Sequence, residues 1–393
     1  MTAPLCPYCF KELTGRDTTF RCVNHVAGKC APELDRQLAE YEGTQPVPRE
    51  RVFTVPGTLL GRSPMRAPCV CGYSSWKRVC PHCHNELPSE FGPLKQLSLG
   101  LIGAKEVGKS NYIGVLINRI ANEVCSNFGG AINSLDDQTG KRYKSDFERY
   151  IFTEGEVVPA TASSRTALKN RYPLNYRFQT GRRGIFSRPK AVSLSLFDTA
   201  GEDLDSEDIA ITHVRYIENA AGLIFLLDPL QLKNIRAALP ANVPKPKIQN
   251  DPGDIIDRAT RMLRRKYHLS PGQKIPIPVA VVFSKIDVVR SLVEKDSPLH
   301  RASVHPGLYD DLDGQAVHES IRSYMRPWGA EAIDNTLRTQ FANYRYFGVS
   351  SFGYSPHDNQ LSKGVAPFRV EDPFLWLLAQ FGYIGKVKPV RTP

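Results

Sequence analysis

The sequence predicts a three-layer α/β fold with a mostly parallel sheet, fronted by a small cysteine-rich module. Three observations predict it. Short apolar segments of strand character recur between residues 97 and 349, separated by stretches with helical spacing. The first of these segments runs into Gly103-Ala104-Lys105-Glu106-Val107-Gly108-Lys109-Ser110, which fits the phosphate-loop pattern G-x-x-x-x-G-K-[ST]. Eight of the nine cysteines fall before residue 84.

The phosphate loop sits where its chemistry requires. Residues 97–102 read as a strand, and the residues from Asn111 to Ile120 carry apolar positions at helical spacing. Glycines let the backbone wrap closely round a polyphosphate, and successive N–H groups at the helix start face its negative charge. Lys109 offers a point charge to the β- and γ-phosphates, and the Ser110 hydroxyl offers a Mg2+ ligand. The competing reading is a glycine turn with a chance lysine; strand before and helix after argue against it.

The strand predicted over 192–197 ends in Asp198-Thr199-Ala200-Gly201-Glu202. Asp198 is placed to hold Mg2+ through a water, and the Gly201 N–H to meet a γ-phosphate, so that loss of that phosphate releases the following loop. A further buried strand covers 221–227, a Pro-rich surface loop 240–252 and an amphipathic helix 255–267. The strand at 277–283 ends in Ser284-Lys285-Ile286-Asp287. A carboxylate there accepts two hydrogen bonds from guanine, through N1–H and the 2-amino group. Adenine would leave it unpaired, at a cost of about 1–3 kcal/mol. The strand at 344–349 ends in Ser350-Ser351-Phe352-Gly353, well placed for a loop over the base. Helices are expected near 314–325 and 330–344 after a polar connection at 296–312, and a closing helix at 374–384 buries Trp376 and Leu377.

Cys6-Pro7-Tyr8-Cys9 and Cys80-Pro81-His82-Cys83 are two C-P-x-C knuckles, with Cys22, Cys30, Cys69 and Cys71 between them. Eight thiolates suit two tetrahedral structural Zn2+ sites. Their pairing stays open. Sequential sites would use Cys6, Cys9, Cys22 and Cys30, then Cys69, Cys71, Cys80 and Cys83; a crossed arrangement exchanges pairs. His25, His82 and His84 read as bystanders. A front this small buries little apolar area, so metal supplies its folding free energy. Between the knuckles, a short helix near 33–41 and a strand near 51–55 are expected, and residues 88–93 form a hinge. The division is therefore 1–92 for the cysteine-rich module and 93–393 for the phosphate-loop domain.

Composition bounds the rest. Of 393 residues, 41% are hydrophobic and 23% charged, an ordinary globular balance. No apolar run approaches the ~18 residues that span a bilayer, and no signal-peptide pattern opens the chain, so a soluble cytoplasmic protein is expected. The net charge of +11 is concentrated: residues 157–197, a basic insert, carry eight Lys or Arg and no acid, whereas residues 1–92 carry only two more bases than acids. The insert reads as a docking face for an acidic partner or as a solvated edge, with Arg165 one candidate for a cis-acting arginine. The front favours protein docking over nucleic acid, which needs concentrated cations and stacking aromatics.

The series G-A-K-E-V-G-K-S, D-T-A-G, S-K-I-D and S-S-F resembles the signature of the translation-factor-related (TRAFAC) class of P-loop GTPases, over about residues 94–385. The cysteine-rich front, the basic insert and Glu371-Asp372-Pro373-Phe374 further resemble bacterial proteins with a double-GTPase-type domain, linked to conflict or defence systems. The resemblance implies a P-loop GTPase fold and a Mg2+-dependent, GTP-hydrolysing switch using GTP and GDP. It assigns roles to Gly103, Gly108, Lys109, Ser110, Asp198, Gly201, Lys285, Asp287 and Ser351. Three departures are notable. The threonine that the resemblance requires as a Mg2+ ligand is not unique, with Thr161 expected and Thr166 the alternative. Ser284 stands where the base-reading motif usually has Asn or Thr, and Glu202 where many relatives have a water-orienting Gln, which implies slow intrinsic hydrolysis. The alternatives are a GTP-binding assembly scaffold that hardly hydrolyses and an ATP-using P-loop enzyme, in which Asp287 has no role.

Overall fold

The computed structural model describes residues 4–13, 17–24, 30–57, 64–88, 91, 94–159, 172–181, 190–198, 215–241, 243–246 and 251–387. The front is built from β1 (Asp17–Arg21), β2 (Glu33–Leu34), α1 (Arg36–Glu42), β3 (Pro48–Arg49), β4 (Val52–Pro56), β5 (Ala67–Pro68), β6 (Ser74–Ser75) and β7 (Lys77–Val79). β1 lies between β4 and β7, antiparallel to both. The helix expected near 33–41 and the strand near 51–55 are thus present as α1 and β4. Asp35 caps α1 by accepting the Leu38 N–H, and Gly43 closes it in the left-handed conformation.

The main sheet contains β8 (Lys95–Ile102), β9 (Ala131–Ser134), β10 (Leu174–Gln179), β11 (Ala191–Asp198), β12 (Gly222–Leu227), β13 (Val279–Phe283) and β14 (Tyr344–Gly348), in the order β14-β13-β12-β8-β11-β10-β9. β14, β13, β12, β8 and β11 are mutually parallel, while β10 runs antiparallel to β11 and to β9. Every described residue of β12 and β13 is buried, so both faces of the sheet are covered. Its helices include α2 (Lys109–Arg119), α3 (Asp137–Tyr143), α4 (Pro252–Lys266), α5 (Asp311–Tyr324), α6 (Glu331–Gln340) and α7 (Asp372–Gln380). From β8 the chain runs to β9 at one edge, returns through β10 to β11 beside β8, and then crosses to β12 on the other side of β8. Strand order therefore reverses beside β8, and in such sheets ligands enter at the C-terminal strand ends at that point.

Several elements depart from the sequence reading. Within the basic stretch 157–197, β11 covers the strand expected over 192–197 and β10 lies where Tyr172–Phe178 reads as a strand; the departure is that Leu174, Tyr176 and Phe178 are buried, so this part of the stretch is sheet core rather than a solvated edge. β9 and α3, which continues as a wider π-helical turn over Lys144–Glu154, carry no clear apolar period; only Phe147 and Ile151 of that turn are buried. The front also packs directly on the main sheet. Phe10, from the first knuckle, belongs to the core of the main sheet and meets Phe197 with ring centroids 5.5 Å apart. Tyr172 takes edge contacts from Tyr8 and Tyr41 and donates to Glu42 Oε1 at 2.9 Å. An aromatic seam therefore ties the front to β10 and β11.

The closing helix buries Trp376 and Leu377 as expected. A charged cluster fixes its start. Arg369 pairs with Asp313 and with Asp372, whose other carboxylate oxygen meets His305 Nε2 at 2.9 Å. Arg369, His305 and Asp372 are all buried, and removing one partner leaves an uncompensated charge in the interior. Arg369→Ala is accordingly expected to lower the unfolding free energy by about 3–5 kcal/mol, read from the midpoint and slope of urea denaturation.

Candidate nucleotide site and metal centres

β8 ends at Ile102, the loop follows, and α2 opens at Lys109. Gly103 is required by close approach: a Cβ there would stand 2.5 Å from the Leu226 carbonyl oxygen of β12. Gly108, the N-cap of α2, is required by conformation, with φ +90°. Glu106 also adopts a positive φ, at 63°. Ala104 and Val107 are buried, and Lys105 and Glu106 are exposed. The Lys109 amine folds over the loop and donates to the carbonyls of Gly103 and Ala104, 2.8 Å each. Ser110 lies buried in the first turn of α2. The Asn111 side-chain oxygen accepts the Val158 N–H at 2.9 Å, which pins the stem of the stretch leading toward Thr161.

The neighbouring strand ends complete the corner. Asp198, the last residue of β11, pairs in register with Leu101 of β8. Beyond β12, the Ser284 N–H and Oγ both donate to the Leu227 carbonyl, at 2.9 and 3.1 Å. Lys285 adopts a left-handed conformation, φ 51°, at the start of the short helix Ile286–Val289. Its amine meets Asp228 Oδ2 at 2.6 Å. Asp287 follows, half-buried. The Ile286 N–H donates to Val349 O at 3.0 Å, which joins this turn to the end of β14. There Ser350 Oγ accepts the Gly353 N–H at 2.9 Å, Ser350 pairs with Phe368 through two backbone bonds, Ser351 is half-buried and Phe352 is buried. Arg290 lies with its guanidinium carbon 3.7 Å from the Phe368 ring centroid. Burial lowers its pKa, with Asp287 opposing and Arg369 reinforcing that shift.

The predicted loop, the S-K-I-D turn, the S-S-F turn and the backbone of Asp198 therefore gather along one edge of one sheet. Thr161, Thr166, Arg165, Gly201, Glu202 and the Asp198 side chain lie outside the described residues. Two features escaped the sequence reading. Ser284 spends its hydroxyl on the backbone of β12. Asp228 is a carboxylate buried directly after six buried strand residues, and a carboxylate so placed must find a partner.

The cysteines form two sets: Cys6, Cys9, Cys80 and Cys83, and Cys22, Cys30, Cys69 and Cys71. This is the crossed pairing, and the front sheet explains it. Antiparallel β1 and β7 place the chain before β1 beside Cys80, just past the end of β7, and Cys22, just past the end of β1, beside the turn before β7. The Sγ separations of Cys6–Cys83, Cys9–Cys80, Cys22–Cys71 and Cys30–Cys69 are 3.8, 3.7, 3.7 and 3.7 Å. Four thiolates around a metal at about 2.3 Å stand about 3.8 Å apart on a tetrahedron, so each set could hold one ion. Backbone N–H groups of Tyr8, Asn24 and His82 donate to the sulfurs two residues before them, 3.4 Å each. His82 instead meets the Glu12 carbonyl and His84 meets Asp35, so neither enters a sulfur set. Cys125 stands apart, a buried thiol pushed up to about 12 by desolvation.

No protein-family model matches the chain. It is 30% identical over 348 residues to the "Putative ESX-1 scaffolding and assembly protein SaeC" of Mycolicibacterium smegmatis, covering 84% of each chain. Among solved structures, the signal recognition particle receptor SRb-GTP/SRX complex of Chaetomium thermophilum aligns at 14% identity and TM-score 0.30, over 67% of this chain and 94% of that one. The Arl6 BBS3 small GTPase of Trypanosoma brucei, with bound GppNp, aligns at 12% and 0.28, over 74% and 100%. Scores this low carry no argument about this chain. Gly103→Ala is expected to force the phosphate loop off the end of β12 and to cost about 1–3 kcal/mol, measured by thermal and urea unfolding against wild type. Cys9→Ser should remove one bound metal equivalent by elemental analysis while Cys125→Ser leaves the metal content unchanged.

Proposed function

The chain belongs to the family of SaeC, and from that premise we propose that it is a Mg2+-dependent GTP-binding switch serving protein assembly, with slow intrinsic hydrolysis. One observation carries the proposal: a phosphate loop on β8 and an acid-bearing turn after β13 stand at the same sheet edge, one strand apart. A triphosphate on the loop would meet the N–H groups around Gly108, the Lys109 amine and the Ser110 hydroxyl. Asp287 would accept two hydrogen bonds from guanine, with the stem of Lys285 beside the base and the turn at Ser350, Ser351 and Phe352 over it. Mg2+ would be held by Ser110, Thr161 and Asp198, and Gly201 would sense the γ-phosphate. Glu202 would repel a γ-phosphate rather than orient a water, which is the chemical reason for slow turnover.

The division at residues 92 and 93 belongs to the same proposal. The front would hold two structural Zn2+ ions, one in each sulfur set, and dock a protein partner. What supports docking is the β5–β6 hairpin, which carries Cys69 and Cys71. Met65, Val70, Tyr73 and Trp76 are four of the nine exposed large hydrophobic residues among those described, all within twelve positions. On the β5–β6 hairpin Ala67 and Ser75 point inward, so Arg66 and Trp76 share the outer face, with the guanidinium carbon 5.9 Å from the indole centroid. Aromatic, Met and Arg side chains are the types enriched where proteins dock. A relative described as a scaffolding and assembly protein points the same way. That description also favours a second reading, in which the GTP form assembles partners and hydrolysis is negligible.

Titration with GTP, GDP and ATP separates these readings. Binding of both guanine nucleotides with ATP at least tenfold weaker is expected, and Asp287→Asn should erase that preference. Release of phosphate in a single-turnover assay supports the switch; tight GTP binding without release supports the scaffold. Equal affinity for ATP contradicts both.

A further inference from the structure

Resting on the guanine-nucleotide reading above, we infer that Asp228 is a positioning residue for base recognition: it holds the amine of Lys285 so that the lysine stem, rather than its charge, faces the base. Asp228 directly follows β12, caps the short helical turn Pro229–Gln231 and is 1% exposed. Each of its carboxylate oxygens is committed. Oδ1 accepts the Leu230 N–H at 2.9 Å and Oδ2 accepts the Lys285 ammonium at 2.6 Å. The first bond fixes the carboxylate to its own turn, so the second cannot follow Lys285 if the lysine moves.

Lys285 needs such an anchor. Its left-handed backbone is a conformation that costs an L-residue free energy and persists only where the surroundings impose it. Its side chain is 36% exposed, whereas that of Asp228 is 1% exposed. The ammonium therefore meets a buried carboxylate, while part of the lysine side chain stays exposed at the corner. The adjacent serine adds a second tie, since Ser284 Oγ donates to Leu227 O. Both residues before Ile286 are thus fastened to consecutive residues, Leu227 at the end of β12 and Asp228 directly after it. Asp287 projects from a turn whose position is set by that neighbouring strand. With the Ser284 hydroxyl so engaged, base selection falls to Asp287, and the precision of its placement falls to Asp228.

The test uses the full chain and three variants: Asp228→Asn, Lys285→Met and the double substitution. Two readouts are taken. The first is the dissociation constant for GTP and for GDP. The second is the acetylation rate of Lys285 in nucleotide-free protein, followed by mass spectrometry. Asp228→Asn should weaken GTP and GDP alike by about tenfold, leaving their ratio unchanged because the phosphate end is untouched. Lys285→Met should lose a similar factor, and the double variant should be no worse than the worse single one, since both remove one coupled unit. Lys285 acetylation should rise severalfold in Asp228→Asn. Additive losses, or nucleotide affinity within twofold of wild type, would overturn the inference. So would an unchanged acetylation rate. If wild type binds no guanine nucleotide, the functional reading fails, and the acetylation rate still decides whether Asp228 holds Lys285. Should Asp228→Asn not fold, Lys285→Met carries the affinity arm alone, with no loss counting against the proposal.

Discussion

The ladder β8-β12-β13-β14 is the constraint on which the site depends. Parallel strands lie about 4.8 Å apart, so a loop after β8 and a turn after β13 stand about 10 Å from each other with one strand between. That span suits the distance from a polyphosphate to its base. The register is held by hydrogen bonds along buried apolar strands, and small deviations at their ends are removed by specific ties. Gly103 admits the Leu226 carbonyl, Ser284 grips Leu227, and Ile286 grips Val349. Each tie joins one strand end to the next, so the corner moves as a unit with the sheet.

The front is joined to the same sheet by a different device. Its cysteines gather into two compact sets, and its first knuckle sends Phe10 against Phe197, the residue before Asp198. The first cysteine knuckle thus packs against the strand that ends at Asp198, where the second of the predicted nucleotide motifs begins. This arrangement connects the folding of the front physically to the edge of the candidate site, through packing rather than through a linker.

Much of this was legible in the sequence because the signals were local. The phosphate loop, the buried strands ending at Phe197, Leu227 and Phe283, the helix at α4 and the burial of Trp376 all follow from periodicity and turn chemistry over a few residues. What was not legible was long-range. The crossed cysteine pairing depends on β1 meeting β7, more than fifty residues away, and no spacing rule contains that information. The tyrosines at positions 8, 41 and 172 each look like ordinary surface or strand aromatics until the seam brings them together. α3 and its π-helical continuation were missed because their buried face is interrupted by polar residues such as Thr139 and Arg142. Asp228 was readable in principle, since a carboxylate closing a wholly apolar strand needs a cation, but which lysine answers it is a tertiary fact.

The central claim is that the loop from Gly103 to Ser110 and the carboxylate of Asp287 serve the two ends of one ligand. A crystal structure of the chain soaked with Mg2+ and a non-hydrolysable GTP analogue tests it most directly. The expected result is phosphates within hydrogen-bond reach of the Gly108 and Lys109 N–H groups, and a guanine edge on Asp287. A nucleotide bound with its base away from Asp287, or bound elsewhere on the molecule, would contradict the account.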